Sequence, residues 1–549
     1  ARFRGCSVSG GMLYPRESPS RELKELGGIW SFRADFSPGR VAGFEQRWYR
    51  QPLRQTGPVI DMPVPASFND ITQDPHLENY IGWVWYEKEV LLPQRWLQDD
   101  LSTRVVLRFG SAHYYSIVWV NGVQVVEHEG GHLPFEADIS RIVQRSPGVP
   151  CRITVALNNT LTLHTLPPGS IQYMNDKTRY PKNYFVQNTR FDFFNYAGIH
   201  RPVVLYTTPS VYIDDITVTT TSSESVGRFR YQISVVGSEL YSLSLSLRDQ
   251  EGKVVATGDG PSGELKVPNP NLWWPYLMHE NPGYRYFLEV KMQAQANGVP
   301  QEDIYTLPVG IRTVHVTSTQ FLINGKPFYF HGVNKHEDAD IRGKGLDWAL
   351  IVKDFNLLRW LGANSFRTSH YPYAEEIMDL CDTYGIVVID ECPGAPYVDV
   401  ICVNSYFSWY HDSGHLEVIP LQLTAQFENW YKTYQKPIIQ SEYGADSVPG
   451  LHSDPPAMFS EEYQKAMLKE YHSVFDKKRK EYVVGELIWN FADFMTNQGI
   501  TRVLGNKKGI FTRQRQPKSA AFVLRERYWK IANESSCLPP IIKSHILFL

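Results

Sequence analysis

Hydrophobic and polar positions alternate with period two over much of the first 208 residues. Residues 83–93 (WVWYEKEVLLP) follow this alternation, and residues 105–128 contain long runs of β-branched and aromatic side chains. Within the second run, Asn121 and Gly122 form a dipeptide typical of a tight hairpin turn. Because helical periodicity is scarce here, residues 1–208 are predicted to fold as a β-sandwich of the jelly-roll type.

A second series of short strands follows in residues 209–317. The strings VYIDDITVTT, YQISVVG, LSLSLRD, KVVATG and YRYFLEVKM are separated by turn residues. Strands that recur about every ten residues with turn signals between them are typical of immunoglobulin-like sandwiches. We therefore predict a second, separate β-sandwich in this region.

From residue 318 to residue 549 the pattern changes to strands alternating with helices. The first helix is predicted to begin near Asp347 and to end at Gly362. Its apolar face consists of Ile351, Phe355, Leu358 and Leu361. Further helices are predicted near residues 374–384, 421–434 and 461–475, and the strands between them end in polar or charged residues. This alternation predicts a (β/α)8-type barrel, in which catalytic groups lie at the C-terminal strand ends.

The predicted barrel is incomplete near residues 392–397. Only these six residues separate the strand in GIVVIDE (385–391) from the strand in VDVICVNSY (398–406). A parallel crossover needs roughly a dozen residues or more, and only six barrel strands can be counted in place of eight. Two βα units are therefore predicted to be absent. The barrel is either open, or its two strands at this joint form a hairpin and run antiparallel.

Composition narrows the possible classes of function. The chain has 549 residues and a net charge of −3, which argues against nucleic acid as a partner. No apolar stretch approaches the roughly 18 residues of a membrane span. The six cysteines are scattered without C-x-x-C spacing, so no zinc site is predicted.

Glu442 is the first candidate for chemistry. It ends the apolar run KPIIQSE, at the mouth of a predicted barrel strand. A carboxylate at that position suits a nucleophile or a base. The alternative from spacing alone is a strand-end charge that only meets solvent.

Several long strings resemble one known family. FYFHGVNKHEDADIRGKG, NSFRTSHYPYAEE, IIQSEYGAD, GELIWNFADF and NKKGIFTRQRQPKSAAF are similar to the β-glucuronidases of glycoside hydrolase family 2, and most of all to its mammalian lysosomal members. The resemblance extends over nearly the whole chain. It implies a sugar-binding-like jelly roll, an immunoglobulin-like domain and a (β/α)8 barrel, in agreement with the three regions above.

The resemblance also implies roles for individual residues. Glu442 corresponds to the nucleophile of a retaining hydrolase that removes terminal β-D-glucuronic acid from glycosaminoglycan fragments and glucuronides. The other corresponding positions, which would bind substrate, are Asp192, Arg367, His370, Tyr406, Trp489, Arg502, Asn506 and Lys508. Asn506 and Lys508 form the N-x-K motif that engages the sugar carboxylate in the family. Without the resemblance, the spacing favours a structural role for His370, packing for Tyr406 and barrel core for Trp489. It likewise favours a solvated basic turn for the segment of Arg502, Asn506 and Lys508, and it leaves Asp192 equally a loop carboxylate beside core aromatics.

The acid/base residue of the family has no counterpart in this chain. A retaining mechanism needs a second carboxyl about 5 Å from the nucleophile, and the family carries it in an Asn-Glu-Pro motif that this sequence lacks. The absent segment falls at residues 392–397, where that motif would lie. Asp390, Glu391 and Asp493 are the local substitutes, but a substitute would need a raised pKa and a defined reach. The alternative function is therefore an inactive form that binds carbohydrate or serves in assembly.

The resemblance further implies a lysosomal protein that forms a homotetramer. It implies no metal or other cofactor. Two N-glycosylation sequons, at Asn158 and Asn533, are consistent with the secretory pathway. The C-terminal residues 535–549 depart from the family pattern.

Overall fold

The structure is a computed structural model that describes residues 12–98, 103–145, 148–223, 225–296, 298–391 and 398–534. The short joint at residues 392–397 and the divergent tail at residues 535–549 therefore lie outside the described residues. The elements form three regions, in the order predicted from the hydrophobic patterns.

The first region is a β-sandwich. Two antiparallel sheets have the strand orders β1-β15-β6-β10 and β3-β2-β5-β11-β8-β9 among the described residues. Buried side chains of both sheets meet in one core; in β2, for example, alternate residues Trp30, Phe32 and Ala34 are buried. The strands are β1 (Leu23–Glu25), β2 (Gly28–Ala34), β3 (Ile60–Val64), β4 (Ala66–Ser67), β5 (Trp83–Val90), β6 (Thr103–Phe109), β7 (Ala112–His113), β8 (Tyr115–Val120), β9 (Val123–Glu129), β10 (Phe135–Asp138), β11 (Cys151–Asn158), β12 (Gly169–Tyr173), β13 (Phe185–Thr189), β14 (Gly198–Ile199) and β15 (Val203–Pro209), and the short helices are α1 (Ala42–Glu45), α2 (Leu53–Thr56), α3 (Pro75–Glu78) and α4 (Ser140–Gln144).

The second region is a smaller sandwich with sheets ordered β16-β17-β20 and β19-β18-β21-β22. Its strands are β16 (Tyr212–Ser223), β17 (Val226–Val236), β18 (Tyr241–Arg248), β19 (Val254–Asp259), β20 (Ser262–Pro268), β21 (Tyr286–Ala296) and β22 (Val299–Val309). The period-two pattern is clearest in β21, where Tyr286, Leu288, Val290 and Met292 are buried and the residues between them are not. One face of each sheet therefore forms the core between them.

The third region contains a parallel sheet surrounded by helices. A small antiparallel sheet of β23 (Val314–Val316), β24 (Phe321–Ile323) and β25 (Lys326–Pro327) precedes it. The parallel strands are β26 (Phe330–Lys335), β27 (Ser365–Thr368), β28 (Val387–Ile389), β29 (Ile401–Asn404), β30 (Ile438–Glu442) and β31 (Val483–Ile488), and the helices are α5 (Trp348–Leu361), α6 (Glu375–Tyr384), α7 (Ile419–Tyr434), α8 (Glu461–Lys478) and α9 (Ser519–Glu534).

Helix α5 shows why the sequence pattern predicts this region well. The carboxylate of Asp347 accepts hydrogen bonds from the backbone N–H groups of Ala349 and Leu350, which caps the first turn. Gly362 ends the helix at φ 75°, a left-handed conformation that glycine adopts without strain. Helices α6, α7 and α8 also begin and end within a few residues of their predicted positions. Helix α9 was not predicted.

The parallel sheet is open at both edges in the described part of the chain. Its strand order is β28-β27-β26-β31-β30-β29. There β28 pairs only with β27 and β29 only with β30, and both pairings are parallel. The barrel prediction is therefore confirmed as a partial barrel, and the predicted alternative of an antiparallel hairpin at the joint is wrong. Parallel pairing prevails because it buries Ile401 and Val403 against the apolar faces of the surrounding helices.

Buried cationic and imidazole groups lie between the first sandwich and the barrel. His132 contacts the Nε2 atom of His113 at 3.2 Å and the Nζ atom of Lys344 at 3.3 Å, and its ring stacks on Tyr371. His200 contacts the hydroxyl of Ser67 at 2.9 Å. Burial, then neighbouring histidines and cations such as Lys344, hold the pKa of all three histidines well below the ordinary value.

We expect the open edges to be the least protected part of the barrel. An edge strand has one ladder partner and exposes its other backbone groups. In hydrogen-exchange mass spectrometry, the amides of β28 and β29 should therefore have opening free energies about 1–2 kcal/mol lower than those of the central strands β26 and β31. The central strand β21 of the second sandwich is the internal reference. Equal protection across the six parallel strands would contradict this expectation.

The buried histidines should make the protein less stable in acid. Each stays neutral when folded but binds a proton near pH 6.5 when unfolded, so the unfolded state takes up more protons as pH falls. Between pH 7.5 and 5, one such histidine lowers the free energy of unfolding by about 2 kcal/mol. Urea unfolding of His200→Gln should show a correspondingly smaller loss across this range. A control substitution of the exposed His164 by Gln should keep the wild-type slope, and equal slopes in all three proteins would contradict the assignment.

Candidate active site

Glu442 is held by two donors at the end of β30. The guanidinium of Arg367 donates to its Oε1 atom at 2.7 Å, and the hydroxyl of Tyr406 donates to its Oε2 atom at 2.6 Å. The side chain is nearly buried, with 6% exposed. Both oxygens are therefore fixed in orientation, as a nucleophilic carboxylate requires.

These residues meet because parallel strands end at one rim of the sheet. Arg367 lies in β27, Tyr406 lies two residues after β29, and Glu442 ends β30. The neighbouring strand β26 contributes Asn334, whose Oδ1 atom accepts from Arg367 at 2.8 Å. Its amide donates to the carbonyl oxygens of Ser441, Leu487 and Ile488. Asn334 was not singled out from the sequence, although a polar residue near the end of the buried run FHGVN was available as a signal.

Tyr406 remains a donor throughout the ordinary pH range. Burial, then the adjacent charge of Glu442, raises the pKa of Tyr406 well above its usual value. The phenol therefore keeps its proton and its hydrogen bond to Glu442. The ring of Tyr410 lies against it with centroids 5.2 Å apart.

Arg367 also reaches the carboxylate of Glu391, at the open edge. Its Nη2 atom lies 2.6 Å from Oε2 of Glu391, and Nδ1 of His370 lies 3.4 Å from the same oxygen. Burial raises the pKa of Glu391, but His370 and Arg367 outweigh this and bring it below its ordinary value. A general acid needs the opposite shift, so Glu391 shares Arg367 with Glu442 without having the protonation state of an acid.

Asp493 has the opposite combination. Burial raises its pKa to about 6 despite the ion pair with Lys518, which suits an acid. However, its Oδ1 atom accepts from Lys518 at 2.9 Å and from the amide of Gly509 at 3.0 Å. No hydrogen bond or ion pair connects it to Arg367 or Glu442 in the described part of the chain. Asp390, the third candidate, accepts from the hydroxyl of Thr368 at 2.8 Å.

A second group of predicted residues converges between the first sandwich and the barrel. Asp192 accepts from Nε and Nη2 of Arg502, at 2.9 and 2.6 Å, and from the amide of Asn506 at 3.2 Å. These partners are separated by more than three hundred residues in sequence. Arg502 also donates to the hydroxyl of Tyr410 at 3.0 Å, so Tyr410 links this group to Tyr406 and Glu442.

Lys508 is buried rather than free to contact a ligand. Its side chain has no exposed surface, and its ammonium is ion-paired with Asp446. It lies 5.0 and 4.9 Å from the ring centroids of Trp409 and Tyr410. Asp446 was missed from the sequence, although it stands in the string IIQSEYGAD, four residues after Glu442.

Trp489 and His370 form one wall of the site. Trp489 is buried at the end of β31, and its ring centroid lies 5.1 Å from that of His370. The rings of His336 and Phe494 also pack against Trp489. The structure thus brings the predicted Trp489 and His370 together, and Glu391 connects His370 to Arg367.

The two sequons differ in their surroundings. Asn158 lies in β11 and its Oδ1 atom accepts from the amide of Thr160, whereas Asn533 is exposed near the end of α9. Among the residues described, no group of three or more His, Cys, Asp or Glu side chains could hold a metal ion. No helix within the described ranges is long and apolar enough to cross a membrane.

Family comparisons agree with this fold. The sugar binding domain of glycosyl hydrolases family 2 matches residues 23–209, a further model of the same family matches residues 211–312, and its TIM barrel domain matches residues 314–396 and 394–533. The chain therefore belongs to glycosyl hydrolases family 2. The barrel match divides at residues 394–396, which is the predicted joint.

The most similar relatives include mammalian enzymes. The chain is 62% identical to the β-glucuronidase of Felis catus, over 99% of this chain and 96% of that protein, and 61% identical to the β-glucuronidase of Homo sapiens, over 99% and 96%. The alignment with the cat protein extends over 626 residues, 77 more than the 549 of this chain. An internal deletion accounts for a difference of that size.

Solved structures of β-glucuronidases also superpose on this chain. The β-D-glucuronidase of Dictyoglomus thermophilum superposes with a TM-score of 0.85 at 44% identity, covering 94% of this chain and 99% of that one. The β-glucuronidase of Ruminococcus gnavus in complex with D-glucuronic acid superposes with a TM-score of 0.84 at 32% identity, covering 95% and 100%.

We expect the buried pair of Lys508 and Asp446 to be essential for folding of the site. Replacing Lys508 by Met leaves the buried Asp446 carboxylate with only the more distant Arg502, at 3.9 Å, as a cation, which should cost about 3 kcal/mol in the free energy of unfolding. Lys507→Met is the matched control, since it removes the same charge one residue away and should cost less than about 0.5 kcal/mol. Urea unfolding followed by tryptophan fluorescence measures both. Equal losses would contradict the importance of the pair.

Proposed function

We propose that this chain is a glucuronidase-type glycosidase that retains the nucleophile and sugar-recognition groups but has lost the acid/base residue. The observation that carries the proposal is the fixed carboxylate of Glu442 between Arg367 and Tyr406. The similarity to β-glucuronidases over nearly the whole chain supports the choice of sugar.

The first half-reaction depends on Glu442. One carboxylate oxygen attacks the anomeric carbon of a β-glucuronide, and the bond to the leaving-group oxygen breaks with its electron pair. A glycosyl ester on Glu442 results. Arg367 and Tyr406 hold the carboxylate in place for this step. When the leaving group is a stable anion such as dinitrophenolate, no proton is needed.

The second carboxyl is needed for ordinary substrates. It protonates a poor leaving group and later deprotonates the attacking water. Residues 392–397 (CPGAPY) and the tail residues 535–549 contain no Asp or Glu, so neither segment can supply it. Glu391 has a lowered pKa and Asp493 is committed to Lys518. These facts support slow or absent turnover of unactivated glucuronides.

A second candidate function is favoured by the open parallel sheet. Without turnover, the chain would act as a carbohydrate-binding or assembly subunit. The pairing of Asp192 with Arg502 and Asn506 joins the first sandwich to the barrel away from the open edges of β28 and β29. Sugar recognition could therefore persist in a chain that does no chemistry.

The cellular setting is proposed from the family resemblance. It includes glycosaminoglycan fragments as substrates, a lysosomal location, glycosylation and a homotetramer. Exposure of Asn533 supports that sequon over Asn158, which is only half-exposed at the end of β11. The net charge of −3 supports the expectation that nucleic acid is not a partner.

The purified chain should release dinitrophenolate from 2,4-dinitrophenyl β-D-glucuronide, and azide should accelerate the release. Azide attacks the glycosyl ester without base assistance, which frees Glu442 and yields glucuronyl azide. Absorbance at the dinitrophenolate band measures the rate, and mass spectrometry identifies the azide product. Glu442→Gln should abolish both, whereas methyl β-D-glucuronide should not be hydrolysed.

Three outcomes decide between the candidates. Hydrolysis of the methyl glucuronide would refute the loss of the acid/base residue. If the wild type releases dinitrophenolate but azide does not accelerate it, and Glu442→Gln releases none, then breakdown of the glycosyl ester is not the rate-limiting step. Neither release nor an azide effect would favour the non-catalytic subunit.

A further inference from the structure

A polar cleft of about 940 Å³ lies beside the active site. One wall is the hairpin of β12 and β13 with its connecting loop, the second is the first sandwich near Arg40 and Tyr80, and the third is the barrel loop at residues 495–498. The cleft residues take no part in the network around Glu442. The mechanism described above therefore leaves this cleft without a role.

Arg40 gives the cleft an unused donor. Its guanidinium lies 4.6 Å from the ring centroid of Tyr80 and 5.5 Å from that of Phe185, so it lies between two aromatic rings. The side chain is half-buried in the lining of the cleft, and its Nη1 atom has no hydrogen-bond partner among the described residues. A guanidinium at the cleft without a carboxylate partner suits an anionic ligand that supplies the acceptor.

The charges of the cleft favour an anion. Lys182 contributes a second cation from the loop between β12 and β13, and Glu78 is the carboxylate that opposes them. The same loop also carries Lys177 and Arg179, which lie outside the cleft. Two cations against one carboxylate leave a net positive site, and a fixed guanidinium binds a carboxylate or sulfate through two parallel hydrogen bonds.

The remaining lining suits a sugar. Tyr184 is 43% exposed, and its ring stacks on Tyr180 with centroids 5.3 Å apart, so it forms a rigid flat surface. The C–H groups of a pyranose pack on such a surface. Side-chain amides of Asn183 and Asn497 border the same space, and amides both donate to and accept from sugar hydroxyl groups.

The cleft and the sugar-recognition residues share two segments of chain. Thr189 at the end of β13 accepts a hydrogen bond from the amide of Asn497 at 3.3 Å. Asp192 follows Thr189 by three residues, a span of at most about 11 Å. Asp192 then pairs with Arg502 from the same barrel loop. A chain whose terminal sugar occupies the active site would thus have the cleft adjacent to its next residues.

We propose that this cleft binds an anionic sugar residue of a polymeric substrate, with Arg40 and Lys182 holding its sulfate or carboxylate. The class of polymer rests on the proposed function, but binding in the cleft needs no catalysis. The cleft therefore adds a recognition site for the part of the substrate that remains after the terminal sugar is removed.

Equilibrium binding to the full chain tests the proposal. The probes are a chondroitin sulfate hexasaccharide, the unsulfated chondroitin hexasaccharide and neutral cellohexaose, measured by isothermal titration calorimetry. Arg40→Gln should raise the Kd for the sulfated probe about tenfold, by removing a charge-assisted hydrogen bond. Lys182→Gln should raise it about threefold. Lys177→Gln, a matched loss of charge on the same hairpin outside the cleft, should stay within about twofold of the wild type.

The comparison of probes identifies the anion. An effect of Arg40→Gln on the sulfated probe alone assigns a sulfate site, and an equal effect on both charged probes assigns a uronate site. The Kd for cellohexaose should be unchanged by all three substitutions. Equal weakening by Lys182→Gln and Lys177→Gln would overturn the proposal in favour of diffuse attraction to the hairpin, as would unchanged binding in Arg40→Gln.

Stability and chemistry are checked separately. Lys182 is exposed, so its variant should fold even if Arg40→Gln does not, and it keeps the proposal falsifiable. Arg40→Gln should leave release of dinitrophenolate from the small aryl glucuronide unchanged. If the wild type fails that reaction but the calorimetric differences persist, the proposed chemistry fails and the cleft stands.

Discussion

The parallel direction of the barrel strands is the constraint on which the site depends. Asn334, Arg367 and Glu442 lie in three different strands and Tyr406 follows a fourth, and they meet only because parallel strands present their C-terminal ends at one rim. Strands β27, β26, β31, β30 and β29 are continuous in the sheet. The gap between β28 and β29 interrupts the ring elsewhere, so Glu442 keeps its hydrogen-bond partners. A reversed β29 would have moved Tyr406 to the opposite end of the sheet and left Glu442 without its phenol donor.

A general acid must lie near Glu442 and must have a raised pKa, and Glu391 and Asp493 each meet only one of these two requirements. Glu391 shares Arg367 with Glu442, but the same guanidinium that brings it close also stabilises its charged form. Asp493 is buried enough to have a pKa of about 6, but that burial comes with an ion pair to Lys518 behind the site. Each of these carboxylates is therefore paired with a cation, Arg367 for Glu391 and Lys518 for Asp493. An acid/base residue needs burial without a permanent cation, and neither carboxylate has such surroundings.

Most of the fold could be predicted from the sequence, because helix caps, helix ends and strand alternation depend on residues that are close together in the chain. The cap at Asp347, the stop at Gly362 and the alternation in β21 each depend on neighbours along the chain. The ion pair of Lys508 with Asp446 joins residues 62 apart, and the pair of Asp192 with Arg502 joins residues 310 apart. Spacing alone could not reveal these contacts, and the family resemblance supplied Asp192 and Lys508 but not Asp446. The hairpin expectation failed because link length was considered without the burial that β29 gains by running parallel.

In the proposed function, sugar binding and chemistry depend on different contacts, so binding can survive a loss of chemistry. The first sandwich is tied to the barrel by Arg513, which contacts Asp70, Tyr196 and Asp338, and by the pair of Asp192 and Arg502. None of these residues lies in β28 or β29. Local opening of β28 would disturb Glu391 first, whereas opening of β29 would disturb Tyr406 and, through Tyr410, its contact with Arg502. The pair of Asp192 and Asn506 and the contacts of Arg513 include no residue of either edge strand, so they would be the last to lose their geometry.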